Sequence, residues 1–170
     1  MHYAEIKEND ATNGQGVCVS FWCQGCPLHC PGCHNPQTWS FEDGLEAEED
    51  NIIEHILEAI NANGVQRNLS ILGGEPMCEP NADFIQLLIY WVKKRNPNIK
   101  IYLWSGYTLN QLQEKAKEDK NVRYILDNIN MLAAGPFILA ERDITLPFVG
   151  SRNQKVYFKN DKGEFYEKHF

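Results

Sequence analysis

Apolar residues along this chain fall into two alternating kinds of run. GVCVSFW (16–22), LSIL (69–72), IYLW (101–104) and NMLAAG (130–135) are short and apolar at nearly every position, which predicts strands covered on both faces. Between them lie longer stretches with helical spacing. LEAEEDNIIEHILEAINANG (45–64) sets Ile52, Ile53, Ile56, Leu57 and Ile60 on one stripe, opens with acidic residues that suit a helix N-terminus, and stops at Gly64. ADFIQLLIYWVKKRNP (82–97) puts Phe84, Leu87, Leu88 and Trp91 on one face and ends on Lys93, Lys94 and Arg95 ahead of Asn96 and Pro97. LNQLQEKAKED (109–119) predicts a third, more polar helix, and NDKG (160–163) a turn. Strand and helix alternate, so the expected fold is α/β with a mainly parallel sheet. No linker, low-complexity tract or repeat divides the chain, which predicts a single domain over 1–170. Ligands on such sheets sit at the carboxyl ends of the strands.

Composition narrows the function. The chain has 170 residues, of which 43% are hydrophobic, enough for a core that needs no cross-links. Its net charge of −7, with basic residues scattered, argues against nucleic acid and against an anionic membrane surface as partners. The opening MHYAEIKEND is polar and acidic, and no apolar run is long enough to span a bilayer, so a cytoplasmic location is expected. Thiols stay reduced there, and clustered cysteines favour metal over disulfides.

The segment CQGCPLHCPGC (23–33) holds four of the six cysteines. Taken as two C-x2-C pairs, Cys23, Cys26, Cys30 and Cys33 suit a zinc site, although only three residues separate the pairs, a shorter excursion than zinc ribbons have. Taken as Cys26-x3-Cys30-x2-Cys33, three thiolates hold a 4Fe-4S cluster and leave one iron open to a substrate. A non-enzymatic zinc or iron–sulfur binding module therefore stands beside a reactive centre as an alternative. Cys18 and Cys78 lie elsewhere, Cys18 inside an apolar strand as a small hydrophobe and Cys78 just after GGEP. LGGEP (72–76) follows a strand and is wrongly spaced for a phosphate loop. Its glycines allow close backbone approach, and Glu75 offers a carboxylate to an ammonium. Trp104 and Tyr107 are expected to serve packing.

C-x3-C-x2-C followed about forty residues later by G-G-E-P resembles the radical S-adenosylmethionine superfamily. NGQG (13–16), CPGCHNPQTW (30–39), WSGYTL (104–109), AAGPF (133–137) and GSRNQ (150–154) resemble, within it, the activating proteins of anaerobic (class III) ribonucleotide reductase. The resemblance implies a partial, incomplete radical S-adenosylmethionine βα barrel with a curved sheet, whose cofactor face stays open to a large protein substrate. It implies a 4Fe-4S cluster on Cys26, Cys30 and Cys33, with Gly32, Cys33, His34 and Asn35 against S-adenosyl-L-methionine and Gly73, Gly74 and Glu75 at its methionine end. The implied activity is reductive cleavage of that cofactor to a 5′-deoxyadenosyl radical, which takes hydrogen from a glycine of the large reductase subunit. A low-potential donor such as flavodoxin or ferredoxin would supply the electron. Gln15 replaces the proline usual in N-G-P-G, His34 a common tyrosine, and Ala134 an aspartate frequent among relatives. The C-H-N form resembles activators of the pyruvate formate-lyase type, which makes another glycyl-radical enzyme the alternative target.

Overall fold

The computed structural model describes residues 1–170. Eight strands form one sheet: β1 (His2–Asp10), β2 (Cys18–Cys23), β3 (Leu45–Glu46), β4 (Asn68–Gly73), β5 (Ile101–Ser105), β6 (Met131–Ala134), β7 (Lys155–Lys159) and β8 (Phe165–Glu167). Their order across the sheet is β3-β1-β2-β4-β5-β6-β7-β8. The four apolar runs of the sequence become β2, β4, β5 and β6, mutually parallel in the middle of the sheet. β1 and β3 on one side, and β7 and β8 on the other, join antiparallel. The fold is thus mixed α/β, parallel at its centre and antiparallel at both margins.

Four helices, α1 (Glu49–Asn61), α2 (Asn81–Arg95), α3 (Leu109–Glu118) and α4 (Lys120–Asn128), pack together with one face of that sheet. Alternation along the strands sorts the side chains. Val19, Phe21, Leu69, Ile71, Ile101, Leu103 and Leu132 join Ile56, Ile85, Leu88 and Ile125 of the helices in the main core. Cys18, Tyr102, Met131 and Ala133 fall in a separate, smaller cluster with Val156.

The structure corrects the sequence reading in three respects, the first being that the unforeseen β1, β3, β7 and β8 make the sheet mixed rather than mainly parallel. The first helix begins at Glu49 rather than 45 because Leu45 and Glu46 pair with Tyr3 and His2 at the sheet edge. The stretch after 119 holds a helix the sequence reading did not predict. The Asp119 side chain accepts from the backbone N–H groups of Asn121 and Val122, ending α3 and starting α4 at one residue.

Candidate functional site at the carboxyl ends of the parallel strands

β2 and β4 end side by side, with Cys23 opposite Gly73, and the cysteine loop and the GGEP loop leave from there together. Two pairs of bonds fasten the base of the cysteine loop. The backbone N–H groups of Gly25 and Cys26 donate to the carbonyls of Thr38 and Trp39 (2.9 and 3.0 Å), and Gln24 Nε2 donates to the carbonyls of Gln37 and Ser40 (both 2.8 Å). Gly32, at φ +76°, lies under Leu139, where a Cβ would come within 2.9 Å of that side chain. The Cys33 N–H donates to the Cys30 carbonyl (3.0 Å), and the Asn35 N–H points at Cys33 Sγ (3.4 Å).

Cys26, Cys30 and Cys33 are free and half-buried. Cys23 is buried and belongs to the helix-side core. Burial pushes the Cys26 thiol up, while the backbone N–H groups of Leu28 and His29 favour its thiolate. No three His, Cys, Asp or Glu side chains converge tightly enough to hold a single metal ion. What the loop offers is three accessible sulfurs within eight residues, a donor set whose chemistry fits an iron–sulfur cluster.

The GGEP loop is stitched to the cysteine loop. The N–H groups of Gly74 and Glu75 donate to the carbonyls of Cys23 and Gly25 (both 2.8 Å), and Asn81 Nδ2 donates to the carbonyls of Gly25 and Glu75. A Cβ on Gly74 would stand 2.2 Å from the Gly25 carbonyl oxygen, so the two backbones touch. The Glu75 carboxyl is 1% exposed. Its Oε1 accepts from the Met77 N–H (2.9 Å) and Ser105 Oγ (2.8 Å), and its Oε2 from the Gly106 N–H (2.7 Å). Burial raises its pKa to about 7 against those hydrogen bonds. The carboxyl therefore ties the loop after β4 to the loop after β5, and it is the backbone of this turn that faces the cysteine loop.

Beside these loops, on the sheet face away from the main core, lies a cavity of about 430 Å³. It gathers Cys33, His34, Asn35 and Gly73 of the expected site with the aromatic walls Trp22, Trp104, Phe137 and Phe148. Gly32, Gly74, Glu75, Cys26 and Cys30 do not line it. The His34 and Phe137 rings stand 5.4 Å apart, and Trp104 Nε1 donates to the Phe148 carbonyl (2.6 Å). Trp22, whose ring lines the cavity, keeps a buried indole N–H without a partner. An aromatic hollow lined by Cys33, with polar groups at Thr12, Asn13, Asn35 and Gln154, fits an organic cofactor with an apolar ring and polar tail.

Each further motif quoted from the sequence sends a residue to this cavity: Asn13 from NGQG, Trp104 from WSGYTL, Phe137 from AAGPF, Gly150 and Gln154 from GSRNQ. Gln154 braces its segment, accepting at Oε1 from the N–H groups of Gly150 and Ser151 and donating through Nε2 to the Gly135 carbonyl. Thr12, Trp22, Ile144 and Phe148 line the cavity without having been foreseen. The alternation along β2 carried a signal for Trp22, which lies on the opposite face from Phe21.

Residues 12–157 match the model of a family described as a 4Fe-4S single cluster domain. Among characterised proteins the chain is 32% identical, over 92% of its length and 97% of the relative's, to the anaerobic ribonucleoside-triphosphate reductase-activating protein of Vibrio cholerae. It is 31% identical to the protein of that name from Escherichia coli K12, over 92% of this chain and 98% of the relative. With the one from enterobacteria phage T4 it shares 32% identity over 67% of this chain and 72% of the relative. The chain belongs to the family of anaerobic ribonucleoside-triphosphate reductase-activating proteins. No helix is long and apolar enough to cross a membrane.

Proposed function

We propose that this chain is a glycyl-radical activating enzyme, a single domain over 1–170 whose sheet acts as a partial radical S-adenosylmethionine βα barrel. Cys26, Cys30 and Cys33 hold a 4Fe-4S cluster, and S-adenosylmethionine occupies the adjoining cavity. Its substrate is a glycine in the large subunit of anaerobic ribonucleotide reductase, its electron comes from flavodoxin or ferredoxin, and its setting is the cytoplasm. The observation that carries this reading is the juxtaposition of Cys33, His34, Asn35 and Gly73 on one aromatic cavity next to two free thiols. When bound, the cluster and S-adenosylmethionine supply a one-electron cleavage that yields a hydrogen-abstracting radical.

The chain itself positions and shields. Gly32 and His34 carry the loop over the cavity edge, and the Asn35 N–H supports the Cys33 sulfur. Gly74 lets the strand end close on the Gly25 backbone, Gly73 presents that strand end to the cavity, and Glu75 fixes the turn from behind. Trp22, Trp104 and Phe148 exclude water from the cavity wall. The four α-helices pack on the other face, and on this one the cavity is walled by the loops around Thr12 and from Phe137 to Gln154.

Reduced protein, S-adenosylmethionine and the anaerobic reductase, mixed without oxygen, should give a glycyl radical signal on the reductase in electron paramagnetic resonance, with methionine and 5′-deoxyadenosine released. A signal only on pyruvate formate-lyase would change the partner. One tightly held zinc and no iron in anaerobically purified protein would return the non-enzymatic module. Cys26→Ala, Cys30→Ala and Cys33→Ala should each lose the cluster iron and Cys23→Ala should keep it. Equal loss in all four would restore a four-cysteine site.

A further inference from the structure

The end of the cavity far from the cysteine loop is built from a segment that the proposed chemistry does not use. Residues 11–16 run from the end of β1 back across the open sheet face, where Thr12 and Asn13 line the cavity. The segment is pinned at three places. Ser70 Oγ donates to the Asn13 carbonyl, Asn68 Nδ2 donates to the Gln15 carbonyl (3.0 Å), and Gly14 presses on the Tyr102 ring and Cys18. Ser70 lies three residues before Gly73 on β4, so this floor sits about 10 Å below the strand end that faces the cysteines.

The first turn of the floor, at Thr12 and Asn13, converges on the carboxyl of Asp10, a residue not exposed to solvent. Oδ1 accepts from the Thr12 N–H (2.9 Å), Thr12 Oγ1 (2.7 Å) and the Asn13 N–H (3.3 Å), and Oδ2 from Asn13 Nδ2 and Ser20 Oγ (both 2.7 Å). No Lys, Arg or His forms an ion pair with it. Burial opposes the charge, yet the bonds from Asn13, Thr12 and Ser20 hold the carboxyl well below the usual range. A neutral turn-former would serve an ordinary loop. Five converging donors need the acceptor capacity of a carboxylate, and bonds from two backbone N–H groups and three side chains to one carboxyl hold the turn to one shape.

Resting on the proposed function, we infer that Asp10 is a positioning residue that fixes the floor 11–16 and thereby the depth at which S-adenosylmethionine sits in the cavity. It touches neither cofactor nor substrate and acts through Thr12 and Asn13.

Asp10→Asn turns an amide NH₂ toward Asn13 Nδ2, donor against donor, and adding Asn13→Asp restores a complementary pair. Calorimetry with S-adenosylmethionine on the cluster-loaded protein should show about tenfold weaker binding for Asp10→Asn, with iron per chain unchanged, and recovery to within threefold in the double variant. Ser20→Ala, which removes one donor and does not line the cavity, should lose about threefold. Hydrogen exchange of the Thr12 and Asn13 amides, followed without any ligand, should quicken at least tenfold in Asp10→Asn and slow again in the double variant. A wild-type protein that binds no S-adenosylmethionine would defeat the functional reading and leave exchange to decide whether Asp10 fixes the floor. Unchanged affinity, unchanged exchange, or a double variant as weak as Asp10→Asn each overturns the inference; lowered thermal stability alone, without the affinity change, marks a merely structural role.

Discussion

Asp10 and Glu75 are both buried carboxylates, and they stand at opposite ends of the same cavity region with opposite fates. Glu75 meets three donors and is pushed up to about 7; Asp10 meets five and stays far below the carboxylate range. Both are at most 1% exposed, but Glu75 lies deep inside the protein and Asp10 close under its surface. Depth and donor count act together: five bonds hold the charge of a shallow acid, and three do not offset the desolvation of a deeper one. The floor is finished by its own hydrogen bonds. The upper end, where the free Cys33 thiol lines the cavity and Cys26 and Cys30 lie in the same loop, is not.

The largest test of that contrast falls on the floor. Gly14→Ala forces an alanine into φ +132° and drives its Cβ within 2.4 Å of the Tyr102 ring, and should cost about 4 kcal/mol by strain and overpacking together. Denaturant unfolding measures it; a loss below 1 kcal/mol would mean that the floor is soft.

Next comes the acid at the upper end. Unfolded, Glu75 titrates near 4.5, and folded near 7, so the native chain binds more protons between those values. Stability should therefore fall as pH rises across that window, by about 3 kcal/mol in all for the cluster-free protein. Asp10 works in the reverse sense: its contribution is present above the unfolded carboxylate range and is lost only in acid. Unfolding free energies from pH 5 to 8, taken beside Glu75→Gln, should converge as pH rises; parallel curves would show that Glu75 does not titrate there.

The smallest effect belongs to Gly16. Its φ of +78° strains an alanine, but no wall stands in the way, and Gly16→Ala should cost about 1 kcal/mol. Were it as damaging as Gly14→Ala, conformation and not contact with Tyr102 would account for both glycines of NGQG.

Local pattern carried the centre of the molecule and failed at its margins. The four parallel strands are covered on both sides, so their apolar runs stand out, and α1 and α2 carry more than three turns of periodic apolar residues, α3 nearly three. β1 is a two-sided polar ribbon with only Asp10 buried, and it becomes a strand because β2 offers it a partner. β7 and β8 flank the turn read at 160–163, but their pairing partners are distant or short. α4 has Val122, Ile125 and Leu126 at helical spacing, yet nine residues without a break after α3 blur its start. The candidate site divides along the same line. Cysteine spacing and G-G-E-P are local and legible. The Asp10 cluster joins positions 10, 12, 13, 20 and 70, and neither spacing nor composition marks such a set before the chain is folded.

The two outermost strands have a consequence for the protein in bulk. β3 is two residues long and β8 three, and charged side chains stand at Glu46, Glu167 and Lys168. At β3 and β8 an incoming chain would find too short a row of open N–H and C=O groups to lengthen the sheet, and beyond β3 the margin passes to β1, where Glu5, Lys7 and Glu8 make a charged edge. Growth of the eight-stranded sheet by edge-to-edge pairing of copies is thereby discouraged at both margins.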